Sequence, residues 1–297
     1  MKYMVQFLTE QHIFFIENYK TASHSTFRIG GEARLAVFPC DRRQMTDVLA
    51  FLSEEELPFE VLGNASNVLF SFERYEGVLV FTDRVDRIHW EGNTLHCDCG
   101  ASLTSLAQRA AERGLSGLEF AYGIPGTVGG SVFMNAGAYG SSISDLLTES
   151  EAYDWKTNTH GSLREHHFGY RHSIYMEEPH LVCLGATLLL TPDGSEQIRA
   201  RMKANMESRR EKQPLNYPSA GSYFKRPEGH FAGKLIEDAG LKGTRIGGAQ
   251  VSEKHAGFLI NLGGATASDV LALEELVCQR VLERFGVRLE REVRVIE

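Results

Sequence analysis

Gly123-Ile-Pro-Gly-Thr-Val-Gly-Gly-Ser-Val-Phe-Met-Asn-Ala-Gly-Ala-Tyr-Gly140 holds six glycines in eighteen residues. Glycine tolerates positive φ and lets the backbone come close to a flat or charged ligand. The spacing is not the G-x-G-x-x-G of a dinucleotide fold, and no strand-turn-helix unit with a later acidic residue frames it. The stretch reads as a loop, either a tight structural turn or a ligand cradle. A second loop, Leu62-Gly-Asn-Ala-Ser-Asn-Val-Leu69, joins two strand-like runs. Its small residues and exposed N–H groups suit an anion nest, and equally an ordinary turn.

Around these loops the pattern alternates between helix and strand. Ile29 to Phe38 reads as a strand. Arg43 to Glu56 reads as a helix with Met45, Val48, Leu49 and Leu52 on one face, stopped before Pro58. Phe59–Leu62 and Gly77–Phe81 read as strands. Ile88 to Trp90, a Gly92-Asn93 turn and Leu95 to Cys99 read as a hairpin. Ser102 is placed to cap a helix with the stripe Leu103, Leu106, Ala107, Ala110 and Ala111, and Gly114 suits its C′ position. Further helices are expected at Ser195 to Lys212, Ala232 to Ala239 and Ser268 to Phe285, with Gly240 and Gly286 stopping the last two. A closing strand is expected at Val287 to Ile296, with Val287, Leu289, Val293 and Val295 on one face and Arg288, Glu290, Glu292 and Arg294 on the other. The fold class is α+β.

The chain has 297 residues, 42% hydrophobic and 24% charged, and a net charge of −8. That length buries a substantial core without disulfide staples. The acidic balance argues against broad nucleic-acid or anionic-membrane binding and leaves room for a local basic pocket. The N-terminus lacks a signal-peptide pattern, and the apolar run Ile13 to Ile16 is far too short to span a bilayer. Five scattered cysteines read as reduced thiols of a cytoplasmic protein. Cys97 and Cys99 are expected on one face of a strand. Without two more ligands nearby they are not a zinc signature. His160, His166, His167 and His172 are dense but lack metal-ligand spacing and are expected in loops. No metal site is expected.

Taken in order along the chain, the motifs resemble the UDP-N-acetylenolpyruvoylglucosamine reductases. They are Ser25-Thr-Phe-Arg-Ile-Gly-Gly31, Gly63 to Asn67, Ile124-Pro-Gly126 with Gly129-Gly130, and Met134 to Gly140. Tyr170-Arg-His-Ser173, Gln213-Pro214 with Pro218 to Lys225, Gly247 to Ala249 with Val251 to Ala256, and Glu292-Val-Arg294 follow. The resemblance covers nearly the whole chain. It is to the shorter of the family's two forms, because the segment after Arg171 has no room for an extra loop. Two positions depart from the usual pattern: Ala65 stands where the family usually has glycine, and Ser25 where it usually has asparagine.

The resemblance implies a two-subdomain FAD-binding region of the vanillyl-alcohol-oxidase type over 1–195 (subdomains 1–75 and 76–195). An α+β substrate-binding domain over 196–297 follows, whose closing strand 287–297 can return to the FAD region. FAD is expected to be noncovalent, since neither glycine-rich loop has a His or Cys to attach it. The implied FAD contacts are Gly63, Asn64, Ala65, Ser66, Asn67, Ile124, Pro125, Gly126, Gly129, Gly130, Asn135, Ala136 and Gly137. NADPH is the implied reductant and UDP-N-acetylglucosamine enolpyruvate the implied substrate, in peptidoglycan precursor synthesis. Arg171 is assigned to the substrate carboxylate, which a guanidinium binds as a fork. Ser222 is assigned as the proton donor to the carbanion. Glu292 is assigned as a carboxyl with raised pKa that hydrogen-bonds the enolate. Tyr170, Lys212, Lys225, Arg226, Lys254 and His255 are candidates for the sugar nucleotide. A flavin oxidase of the same fold acting on a sugar or hydroxy acid, and a non-catalytic UDP-sugar-binding protein, are the competing readings. The Ser222 and Glu292 motifs argue against the oxidase.

Overall fold

The computed structural model describes residues 1–297 and divides into two compact units. The first comprises Met1–Glu17, Arg34–Asn64 and Glu76–Glu207; the second comprises Asn18–Ala33, Ala65–Tyr75 and Ser208–Glu297. Both mix helices and strands, as the α+β expectation requires. No helix is long and apolar enough to cross a membrane.

The first unit carries α1 (Lys2–Glu10), α2 (Arg42–Glu54), α3 (Leu103–Glu112), α4 (Val128–Met134), α5 (Ile174–Glu177) and most of α6 (Ser195–Lys212). Helix α2 starts where the Asp41 carboxylate accepts the Gln44 N–H at 2.9 Å. Its predicted face, Met45, Val48, Leu49 and Leu52, is buried with Met4 and Leu8 of α1 in one apolar cluster. Helix α3 begins at Ser102, whose hydroxyl accepts from Ser105 N, and Gly114 behind it takes φ +68°. The Gly92-Asn93 turn closes the expected hairpin, with Trp90 opposite Leu95. That hairpin is the edge of a five-stranded antiparallel sheet. Its central strand, Leu181–Leu189, is buried along most of its length. Helix α3 and Ile198 and Met202 of α6 belong to a second apolar cluster with Cys97 and Leu188 of this sheet.

In the second unit, α7 (Ala232–Asp238) and α8 (Ala267–Phe285) pack with Phe27, Leu69 and Tyr223 in a third cluster. Thr266 and Asp269 close a capping box at the start of α8, and Gly286 ends it at φ +68°.

Four local expectations change. The strand expected from Ile29 begins at Glu32. The chain before it is pressed against other backbone: a Cβ on Gly31 would meet the Phe72 and Glu73 carbonyls. The closing strand is regular only over Arg294–Ile296, paired in parallel with Val68–Phe70. Upstream the chain changes partner, Lys225 N donating to Glu290 O and Glu292 N to Tyr223 O. The predicted alternation survives as packing, for Leu289 and Val293 are buried while Arg288 and Glu290 are exposed. Cys97 and Cys99 do not share a surface. The strand stops at Asp98, and the two thiols enter different apolar clusters, where burial pushes both well above the ordinary thiol range. His160 lies on the strand Thr159–Leu163 rather than in a loop.

His166 is buried, its Nε2 2.8 Å from the Ser150 hydroxyl, which is 2.8 Å from the Tyr175 hydroxyl. Burial holds this imidazole below its ordinary pKa. The unfolded chain therefore takes up a proton that the folded chain resists, so the His166 contribution is complete above about pH 6.5 and declines as pH falls below it. In urea denaturation, the wild-type midpoint should drop between pH 7.5 and pH 5.5 more steeply than that of His166→Gln. Equal slopes would place the titration elsewhere.

Candidate functional site

In the first unit the two glycine-rich loops, about sixty residues apart in sequence, meet. The strand Phe59–Leu62 delivers Gly63 against Thr127, where a Cβ would overlap the threonine hydroxyl. The Asn64 amide reaches the Pro125 carbonyl at 3.4 Å. Ala65 has φ +44°, a left-handed conformation that costs a residue with a Cβ about 1–2 kcal/mol and glycine little. That requirement explains why glycine is usual at this position. None of the backbone N–H groups from Gly63 to Ser66 donates to a backbone carbonyl. A run of such donors around a left-handed residue fits a diphosphate, which is the chemistry FAD brings.

The stretch Gly123–Gly140 is not all loop. Thr127 caps α4, its hydroxyl accepting the Gly130 N–H at 3.4 Å. A threonine directly before Val128-Gly129-Gly130 was the sequence signal for that start. Val128 N donates to Ala101 O at 3.0 Å and Gly129 N to Cys99 O at 2.7 Å. A Cβ on Gly129 would lie 2.9 Å from the Cys99 Cβ. The N–H groups of Gly129 and Gly130 are thus engaged inside the protein, and Gly129 serves the close approach of α4 to the end of a strand. Ile124 and Gly126 are likewise tied by their carbonyls, to the Thr104 hydroxyl at 3.3 Å and to Leu103 N at 3.1 Å.

Helix α4 ends at Asn135 with φ +43°. The Asn135 side chain donates to Gly169 O at 2.9 Å and accepts from Ser144 N at 3.3 Å. Ala136 N returns to Ser131 O at 2.9 Å, and Gly137 pairs with Ser142. Arg171 docks on this corner: its guanidinium donates to Asn135 O at 3.2 Å and Gly137 O at 3.1 Å, and lies over the Tyr170 ring at 5.3 Å. Arg171 itself has φ +55°, held by mutual backbone bonds between Gly169 and His172. Glu177 of α5 clamps the turn, one oxygen 2.7 Å from His167 Nδ1 and the other 2.7 Å from His172 Nε2. These bonds hold the Glu177 carboxyl below the usual carboxylate range and raise His167. Nothing in the sequence spacing announced that clamp.

In the second unit, motifs far apart in sequence converge. Ser222 is exposed and follows Gly221, which has φ +82° and open space where a Cβ would be. Tyr223 N donates to Gly257 O at 2.8 Å, and Tyr223 O accepts the Glu292 N–H at 2.8 Å. The Asn67 amide donates to Glu292 O at 3.1 Å, and Arg294 N donates to Asn67 O at 3.0 Å. Thr26, in the opening motif, donates its hydroxyl to Ser219 O at 2.8 Å. The segments bearing Asn67, Ser222 and Glu292 are therefore adjacent.

The basic candidates have separate partners. Lys225 Nζ is 3.6 Å from Glu290, and Arg226 lies over the Phe231 ring at 4.8 Å. Lys254 Nζ donates to Arg210 O at 2.5 Å; Lys212 is exposed at the end of α6. The His255 ring packs edge-on to Phe258 and accepts from Gly257 N, and burial lowers its pKa.

A family profile described as an FAD binding domain matches residues 33–160, and one described as the C-terminal domain of UDP-N-acetylenolpyruvoylglucosamine reductase matches residues 213–296. The UDP-N-acetylenolpyruvoylglucosamine reductase of Caldicellulosiruptor bescii is 48% identical, across 98% of this chain and 93% of its own. That of Caldanaerobacter subterraneus is 46% identical, across 92% and 90%. The crystal structure of UDP-N-acetylenolpyruvylglucosamine reductase from Thermus caldophilus superposes with a TM-score of 0.79 at 32% identity, covering 96% of this chain and 99% of that one.

The tight contact at Gly129 is testable. Gly129→Ala should lower unfolding stability in urea by about 1–3 kcal/mol. Gly161→Ala, in a position with open space around the Cβ, should stay within about 0.5 kcal/mol of wild type. Equal effects would mean that the approach of α4 to Cys99 yields easily.

Proposed function

The chain belongs to the UDP-N-acetylenolpyruvoylglucosamine reductase family, and on that premise we propose that it uses NADPH and noncovalent FAD to reduce the enolpyruvyl group of UDP-N-acetylglucosamine enolpyruvate. The product is UDP-N-acetylmuramate, a precursor of peptidoglycan, made in the cytoplasm for cell-wall growth, cell shape and division. The observation that supports this reading best is the register that sets Glu292 against Tyr223, next to Ser222, and joins it to Asn67 at the end of the anion-nest loop.

Bound FAD supplies a two-electron carrier between NADPH and the substrate alkene. The loop from Gly63 to Asn67 would hold its diphosphate through backbone N–H groups. The packed turn Ile124-Pro125-Gly126 and the Asn135-Ala136-Gly137 corner shape the wall beside it. Hydride delivered to the enolpyruvyl methylene carbon would leave charge on the neighbouring carbon and its carboxylate. Arg171, pinned by the Asn135 and Gly137 carbonyls, pairs with that carboxylate. The Ser222 hydroxyl gives its proton to the carbon bearing the carboxylate and is reprotonated from solvent. Glu292, protonated beside the substrate carboxylate, donates a hydrogen bond to the enolate oxygen. Lys212, Lys225, Arg226 and Lys254 contribute positive charge toward the UDP diphosphate, with Tyr170 against the sugar nucleotide. The packing of His255 on Phe258 favours a supporting part on the sugar-nucleotide side. Residues 1–195 form the FAD-binding region and 196–297 the substrate-binding domain.

The purified protein should be yellow and release intact FAD on acid precipitation; flavin retained by the precipitate would refute noncovalent binding. Ser222→Ala should leave flavin reduction by NADPH near normal and slow substrate reduction by about 10²–10⁴-fold, with Ser222→Cys recovering part. Stopped-flow absorbance follows each half separately, and equal slowing of both would remove the proton-donor role. Arg171→Lys should cut turnover more than UDP-sugar affinity, since it keeps charge and loses the fork. Glu292→Gln should be milder than Glu292→Ala, because an amide still donates to an enolate; equal losses would point to the ionised carboxylate.

A further inference from the structure

Behind the Ser222 and Glu292 segments, one carboxylate grips both. Glu274 sits on α8, whose side chains Val270, Leu273, Val277 and Val281 are buried and whose start is fixed by the Thr266 and Asp269 capping box. One Glu274 oxygen accepts the Tyr223 hydroxyl at 2.8 Å, and the other accepts Arg291 Nε at 2.9 Å. Tyr223 is the residue after Ser222, and Arg291 the residue before Glu292. The backbones also meet here, with Glu292 N on Tyr223 O and an antiparallel bridge between Phe224 and Arg291. Tyr223 is 1% exposed and the Glu274 side chain 14%, with the Arg291 side chain, 35% exposed, on the solvent side. Burial and the neighbouring carboxylate raise the Tyr223 phenol, so it remains a donor. An apolar set of side chains would cover the same helix face with no desolvation cost. What the carboxylate adds is a single fixed point, on a well-anchored helix, for two segments.

We propose that Glu274 is a positioning residue that sets the Ser222 hydroxyl and the Glu292 carboxyl in register for proton delivery, by holding Tyr223 and Arg291 on its two oxygens. This rests on the roles proposed above for Ser222 and Glu292. Glu274 acts through its neighbours and is given no contact with substrate. Misplacing a reacting group by about 1 Å costs about 10²-fold in rate, and only the step that uses Ser222 is exposed to that loss.

The test uses FAD-loaded Glu274→Gln, Glu274→Ala and Tyr223→Phe proteins beside Ser222→Ala. Both half-reactions are followed by stopped flow in H2O and D2O, and affinity for UDP-N-acetylmuramate is measured by calorimetry. Flavin reduction by NADPH and product affinity should stay near wild type, while substrate reduction slows by about 10²-fold in Glu274→Ala. Glu274→Gln, which still accepts from Tyr223, should lose less. Its solvent isotope effect on substrate reduction should rise as proton delivery becomes limiting. Tyr223→Phe removes one arm without burying a new polar group, so it carries the test if Glu274→Ala fails to fold. Equal slowing of both halves, or an unchanged isotope effect with normal substrate reduction in Glu274→Gln and Tyr223→Phe, would overturn the proposal. Slowing in Ser222→Ala with none in the Glu274 and Tyr223 variants overturns the positioning role alone. Normal substrate reduction in Ser222→Ala overturns the donor reading and the positioning role together.

Discussion

The first unit turns on the contact between Gly129 and Cys99. A 2.7 Å hydrogen bond from the glycine N–H to the Cys99 carbonyl seats α4 on the end of the Thr94–Asp98 strand, with no room for a side chain between them. Once α4 is seated, its left-handed end at Asn135 has a fixed position, and the carbonyls of Asn135 and Gly137 receive Arg171. The guanidinium is therefore aimed by backbone. Thr127, at the other end of the same helix, caps it and forms the surface against which Gly63 rests. A seven-residue helix thus connects the Gly63 turn to the arginine.

The Ser222 and Glu292 segments depend on pairing rather than on a helix. Neither belongs to a long strand. Their register comes from single backbone bonds, Tyr223 with Gly257 and with Glu292, and Asn67 with Glu292 and Arg294. Such short pairings leave side chains open to a ligand. They hold only because Tyr223, Val293 and Leu289 are buried in the apolar cluster built on α8.

Much of this was legible in the sequence, for local reasons. The bounds of α6, the faces of α2 and α3 and the start of α3 followed from periodicity and, at Ser102, from a capping residue, which act within a few positions. The hairpin at Gly92-Asn93 followed from its turn. The helix inside Gly123–Gly140 was missed because its glycines outweighed the cap at Thr127. The break in the closing strand was missed because alternation records burial and is blind to a change of hydrogen-bond partner. Cys97 and Cys99 were set on one face by a two-residue period that the chain abandons after Asp98. The motifs stood out in the sequence, but the clamps on them, Glu177 on the Arg171 turn and Glu274 on Tyr223 and Arg291, join residues at spacings with no local signature.

The parallel pairing of Arg294–Ile296 with Val68–Phe70 joins segments more than two hundred residues apart. On a ribosome, Val68 to Phe70 emerge long before their partner is made. The second unit also draws Asn18–Ala33 and Ala65–Tyr75 from within the stretch that builds the first. Those residues must wait with Leu69 and Phe70, both fully buried when folded, uncovered in the nascent chain. Loop closure of that length is slow, and waiting apolar strands are where association with other chains begins. The topology that brings Asn67 to Glu292 therefore leaves a long interval in synthesis when the chain has reason to engage a chaperone.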